Sequence, residues 1–166
     1  MLTKPFVTFM LCYTGFIDSG LGGCLFLVSF MDKLEFRIEH IGLAAINSRV
    51  LRDWYVEKLS ATEIWTDNSE PPAFLLKFPC GEILEIYPST RANQETGDNK
   101  LAGWRHLALR VASVEATRNE LERRGVVVDQ PMKPAGGAGR VIFFKDIEGN
   151  LLHLVDRPEG WGVLIG

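Results

Sequence analysis

The sequence predicts an α+β fold built from two βαβββ modules, and three observations predict it. A histidine at the head of an apolar, strand-like run occurs twice, in His40-Ile41-Gly42-Leu43-Ala44-Ala45-Ile46-Asn47 and in His106-Leu107-Ala108-Leu109-Arg110-Val111-Ala112-Ser113. Both copies place a small residue two positions on and a helix-capping Asn or Ser at the seventh. Each half also closes on a matching segment, Gly81-Glu82-Ile83-Leu84-Glu85-Ile86 and Gly149-Asn150-Leu151-Leu152-His153-Leu154, with a polar ligand-type residue four positions after the glycine. The two histidines stand 66 residues apart and Glu85 and His153 stand 68 apart, a difference one loop absorbs, so the halves read as copies of one unit.

Size and charge narrow the field. A chain of 166 residues suits one well-packed domain. A net charge of −3 offers no basic footprint for a phosphate backbone, so no nucleic-acid partner is expected. Three cysteines, Cys12, Cys24 and Cys80, form neither a disulfide framework nor a C-x-x-C metal knuckle, which fits a reducing compartment and predicts a cytoplasmic protein.

Residues 34–45 alternate, with Phe36, Ile38, His40 and Gly42 on one face, as a period-two strand does. Asn47 or Ser48 then caps a helix whose apolar positions Val50, Leu51, Trp54, Tyr55 and Leu59 recur at three- and four-residue steps. Residues 62–67, 73–79 and 81–88 read as strands punctuated by Ser69-Glu70-Pro71-Pro72 and Pro79-Cys80-Gly81. A polar linker, 89–100, separates the halves. The second half repeats the order: strand 104–111, helix 113–124 stopped by Gly125, then strands 126–130, 139–145 and 150–156. The turn Asp146-Ile147-Glu148-Gly149-Asn150 places Gly149 where a positive φ is expected. The domain therefore spans 34–158, with modules 34–89 and 101–157 and a tail 159–166.

The apolar extension 1–33 belongs to neither copy. Leu21-Gly22-Gly23-Cys24 resembles a lipoprotein cleavage box, but an apolar stretch follows where a polar tether is usual. As a membrane span it is split by Asp18 into pieces shorter than the roughly 18 residues a crossing needs. Met31-Asp32-Lys33 offers an alternative start, so the expectation is a start-site artefact or a disordered extension, with no membrane partner unless residues 1–30 act as an anchor.

All three histidines fall at equivalent places in the repeat, and strand parity puts each beside a small or apolar neighbour. If the two sheets curve towards each other, His40, Glu85, His106 and His153 converge on one cavity, with Gly42 and Ala108 leaving room beside them. Imidazole and carboxylate donors suit Zn, Ni, Co, Mn or Fe(II). Taken singly, a histidine on an apolar strand is more often a hydrogen-bonded core residue than a ligand, and solvent exposure is the rival explanation for Glu85. Taken together, a glutamate within Ile83-Leu84-Glu85-Ile86 on the face that carries histidines argues for one divalent metal ion.

This arrangement resembles the vicinal oxygen chelate superfamily, which includes glyoxalase I, methylmalonyl-CoA epimerase, extradiol dioxygenases, and fosfomycin and bleomycin resistance proteins. The likeness rests on the paired βαβββ plan and on the closing Asp146-x-x-Gly149-Asn150-x-x-His153-Leu154 turn and strand, and covers about residues 34–157. It implies a curved, eight-stranded open-barrel cup with helices outside, a homodimer, and metal ligands at His40, Glu85, His106 and His153. Met132-Lys133-Pro134-Ala135-Gly136-Gly137 is similar to the Lys- and Gly-bearing loop that glyoxalase I uses around its substrate. Two departures stand out: His153 occupies the position where glyoxalase I carries the glutamate that binds metal and transfers the proton, and Ile147 stands where proline is frequent.

The function expected is a glyoxalase-like, divalent-metal-dependent lyase or isomerase acting on a small oxygenated metabolite through an enediolate-type intermediate. His153 or Glu85 would move the proton, and Lys133, Arg140, Trp104 and Tyr87 would hold the small-molecule substrate. The alternatives are a non-haem iron ring-cleaving dioxygenase and a metal-free, bleomycin-resistance-like protein that binds a drug or metabolite.

Overall fold

The computed structural model describes residues 37–93 and 95–158; the readings made for 1–36 and for the tail 159–166 lie outside them. Ten elements run in the order β1 (Ile41–Ala45), α1 (Ser48–Leu59), β2 (Thr62–Thr66), β3 (Phe74–Lys77), β4 (Ile83–Pro88), β5 (His106–Arg110), α2 (Val114–Arg123), β6 (Lys133–Ala135), β7 (Gly139–Lys145) and β8 (Leu151–Asp156). They form two four-stranded sheets with the same topology, β1-β4-β3-β2 and β5-β8-β7-β6. In each, the first strand pairs parallel with the last and the other pairs are antiparallel. Among the described residues no strand pairs across the two sheets, and no helix is long and apolar enough to cross a membrane.

Both helices begin as their caps dictate. Asn47 accepts the Val50 N–H at 3.1 Å and Ser113 the Ala116 N–H at 3.2 Å. Gly125, at φ 81°, turns the chain out of α2. Leu51, Trp54 and Tyr55 of α1 are buried as the periodicity requires, whereas Val50 faces outward. The expected strand at 126–130 is absent: the second strand of the second module is β6, seven residues further on. Val126 and Val128 are buried and Val127 exposed, so the segment alternates because it packs on the core as extended chain without a ladder partner.

Leu76, Leu84 and Ile86 of the first sheet, and Ile142, Phe144, Leu152 and Leu154 of the second, join α1 and α2 in one continuous core. Because strand side chains alternate, each sheet has a second face turned away from that core. The register puts Gly42, Glu85 and Leu75 in one row on the first open face, and Ala108, His153 and Phe143 in the corresponding row on the second.

The modules are also stitched by polar contacts. The Glu148 carboxylate, in the turn before β8, accepts the N–H groups of Ile46 and Asn47 at 2.8 and 2.7 Å, at the entry to α1. Tyr55 donates to the buried Asp146 at 3.2 Å, and the Arg124 guanidinium donates to the Lys58 carbonyl and Ser60 hydroxyl at the far end of α1. Asp146 further accepts from the Glu148 and Asn150 backbones and the Asn150 amide, and Gly149 takes the φ of 85° foreseen for this turn.

Candidate functional site

The first open face carries His40 and Glu85. His40 precedes β1, half-exposed; its Nδ1 pairs with Glu39, and its Nε2 lies 3.5 Å from Glu85 Oε2. The Glu39 carboxylate, and behind it Glu85, hold the imidazole pKa above its usual 6.5. Gly42 is opposite Glu85, and a Cβ there would stand 3.5 Å from Glu85 Oε2 and 3.3 Å from the Tyr87 ring. The small residue foreseen beside the ligands thus admits both side chains.

The second open face carries His106 and His153. Their rings lie 4.6 Å apart, tilted by 35°, and Phe143 sets its ring edge-on to both, 5.7 Å from His106 and 4.9 Å from His153. Asn99 Oδ1 is 2.8 Å from His106 Nδ1; with that oxygen as acceptor the proton sits on Nδ1 and Nε2 presents its lone pair. Burial, then the neighbouring charges of His106 and Arg157, lower the His153 pKa from 6.5 to about 4. Its Nδ1 is buried with no hydrogen-bond partner among the described residues, an unmet polar atom that a ligand or, as the deprotonated nitrogen, a cation would satisfy.

The four sequence-predicted ligands are therefore brought together as two pairs, one on each sheet. Among the described residues no group of three or more His, Cys, Asp or Glu side chains is placed to hold a metal ion within one chain. The donor chemistry fits a divalent ion, but each pair supplies only half of what such a site uses.

Of the predicted substrate residues, Tyr87 lies beside Glu85 on the first open face. Trp104 is 91% exposed and borders, with His106, Gly42 and Tyr55, a crevice of about 160 Å³ between the modules. Lys133, on β6, lines a larger cavity next to Phe143. Arg140 is not brought to the histidines: it falls on the other face of β7 by alternation, and its guanidinium is taken up by Asp156 at 2.5 Å and by Glu115.

Two site residues lay beyond the sequence reading. Phe143 shares the parity of Val141 on β7, so the row with His153 could have been found by alternation once the β7–β8 register was known. Asn99 sits in a linker without periodicity and gave no signal.

The chain resembles several solved structures. A glyoxalase family protein from Enterococcus faecalis is 25% identical, with a TM-score of 0.62, over 72% of this chain and 96% of that one. A fosfomycin resistance protein, FosX, from Listeria monocytogenes, solved with Mn(II) and 1S,2S-dihydroxypropylphosphonic acid, is 21% identical, with a TM-score of 0.51, over 73% and 90%. TnmS3, an antibiotic binding protein from a Streptomyces species, is 19% identical, with a TM-score of 0.56, over 76% and 99%. The last two likenesses establish the fold alone. No curated protein sequence matches the chain. The family model described as Glyoxalase/Bleomycin resistance protein/Dioxygenase superfamily matches residues 37–154, nearly the whole of both modules, and the chain belongs to that superfamily.

Proposed function

We propose that the protein is a divalent-metal-dependent lyase or isomerase of the glyoxalase type that moves a proton at the carbon beside a carbonyl of a small oxygenated metabolite. It works as a homodimer, each site combining His40 and Glu85 of one copy with His106 and His153 of the other. The observation that carries this reading is the division of the four donors into two pairs at corresponding rows of two open sheet faces. Divalent sites use three or four protein ligands, so a twofold contact that brings each pair against its complement builds two equivalent sites at once. Trp65 and Tyr87, both large and exposed on the first open face, are surface that such a contact would cover. An unpaired, exposed Cys80 suits the reducing cytoplasm.

When bound, an ion drawn from Zn, Ni, Co, Mn or Fe(II) would supply Lewis-acid stabilisation to two neighbouring substrate oxygens. Glu85 is the carboxylate of the set, about one-third exposed, and its Oε2 takes the proton. His153 serves differently from Glu85. With its pKa near 4 the imidazole is neutral at physiological pH and a poor carrier of protons, so it donates a lone pair and leaves the base to Glu85. Phe143 packs edge-on against both second-sheet imidazoles, while Tyr87 and Trp104 flank the substrate.

Mixing of half-site variants tests the arrangement. Wild-type protein stripped with chelator should rebind one divalent ion per subunit, and His40→Ala and His106→Ala should each lose it. After the two variants are unfolded and refolded together, about a quarter of the sites should return, because half of the dimers then hold one intact combination. No recovery would place each site within one chain and overturn the shared arrangement. Wild-type protein without stoichiometric metal would overturn the enzyme reading in favour of a metal-free binding protein. Iron with oxygen uptake on a catechol would replace the lyase with a dioxygenase.

A further inference from the structure

Beside the second half-site lies a cavity of about 500 Å³ whose walls come from three parts of the chain: the linker at Gly97, Asn99 and Lys100, the segment from Asp129 to Lys133, and Phe143, Lys145 and Leu151 of the sheet. Three ammonium groups, Lys100, Lys133 and Lys145, meet there against one carboxylate, Asp129, which is already occupied by the Gln130 amide at 3.2 Å. The protein as a whole is acidic, so this concentration of positive charge is local.

Many of the other cations are neutralised by a carboxylate, although among the described residues Arg37, Arg91, Arg105 and Arg110 are not. Arg49, Arg52, Arg118, Arg123, Arg124 and Arg140 each hold a carboxylate, as does Lys58. Among the described residues four lysines have no carboxylate within ion-pair distance, and three of those four line this cavity. One is held in place: Lys145 Cε and Nζ pack so closely on Gly97 that a Cβ there would stand 2.8 Å from both. The linker that positions Gly97 is itself anchored by Thr96, which donates to the Asn150 side chain at 2.7 Å. Two wall residues also belong to the histidine pair, since Asn99 orients His106 and Phe143 packs on both rings.

We infer that this cavity is an anion subsite that takes the carboxylate or phosphate-type group of the substrate, with Lys145 and Lys133 as its principal contacts and the rest of the molecule lying along Phe143 towards His153. An ammonium is a compact, strongly hydrated point charge that binds such oxygens without a fixed fork geometry, so the subsite selects for charge before shape. The substrate class that follows is a small oxygenated acid, anionic at one end and chelating at the other. The chelating half rests on the metal-site reading above; the anionic half does not.

Titration of chelator-treated, metal-free protein with inorganic phosphate and with succinate, followed by calorimetry at low salt, tests the subsite alone. Saturable binding of at least one of the two should weaken about tenfold or more in Lys145→Gln and in Lys133→Gln, and less than twofold in Lys58→Gln, which removes the same charge elsewhere. Equal weakening in all three variants would reduce the effect to net charge and overturn the subsite. So would absence of saturable binding in the wild type. Anion binding by a protein that takes up no divalent metal would sustain the subsite while the proposed reaction fell; metal uptake without anion binding would do the reverse.

Discussion

The two modules share topology, strand register and the position of every candidate ligand, yet they build half-sites of opposite character. In the first, Gly42 faces Glu85, and the carboxylate and His40 stand partly in water, with acidic neighbours that favour the imidazolium. In the second, Ala108 faces His153, and two imidazoles lie under a phenylalanine with no acid beside them, so His153 is driven neutral. Backbone register decides where a ligand stands, and the surroundings decide which charge it brings. On the proposed reading one half would contribute a carboxylate with one imidazole and the other two imidazoles, a division that a pair of identical modules could not make.

The equivalence of the halves is most open to breakage in the core. Leu84 and Leu152 occupy corresponding places on β4 and β8 and are both almost wholly buried. Replacing either by Ala should cost about 2–5 kcal/mol, and because the core is continuous the loss should appear as one shared transition in urea. Two separable transitions would show that the modules fold independently.

A smaller asymmetry concerns support. His106 has Asn99 to fix its tautomer, whereas His40 leans on its sequence neighbour Glu39. Asn99→Ala should weaken divalent-ion binding by about 10- to 100-fold, the usual cost of losing a group that orients a ligand. Glu39→Gln should weaken it less, since removing that carboxylate also lowers the proton's hold on His40. Isothermal titration with each variant decides the order.

The finest contrast is in pH. His153 has a folded pKa depressed to about 4, so its contribution to stability is present above pH 6.5 and is lost as pH falls through 4. His40 has a raised folded pKa; its contribution is complete below 6.5 and fades as pH rises through the folded value. In metal-free protein, proton NMR titration should show the two imidazoles on opposite sides of 6.5. A common midpoint would remove the distinction drawn between the half-sites.

Much of this was legible in the sequence. The repeat, both caps, the Gly149 turn and the strand parity that puts Gly42 with His40 and Ala108 with His106 follow from spacing and alternation, whereas the rows pairing Gly42 with Glu85 and Ala108 with His153 needed the strand register. Alternation also misled at Val126 and Val128, because burial of every second residue marks extended chain on a core and is silent about hydrogen-bond partners. Parity assigns a side chain to a face of its own sheet but does not relate one sheet to another, so the separation of the four donors into two pairs was out of reach. Arg140 looked like an available cation because its partners, Glu115 and Asp156, are distant in sequence.

Glu148 carries a consequence for how the chain comes off the ribosome. The N–H groups it accepts, those of Ile46 and Asn47, lie 102 and 101 residues before it, so the entry to the first helix is finished by the turn that leads into the last described strand. Until that turn emerges, the first module waits with an open helix start and an incomplete core, and docking of the late segment on the early one becomes the step that commits the whole chain.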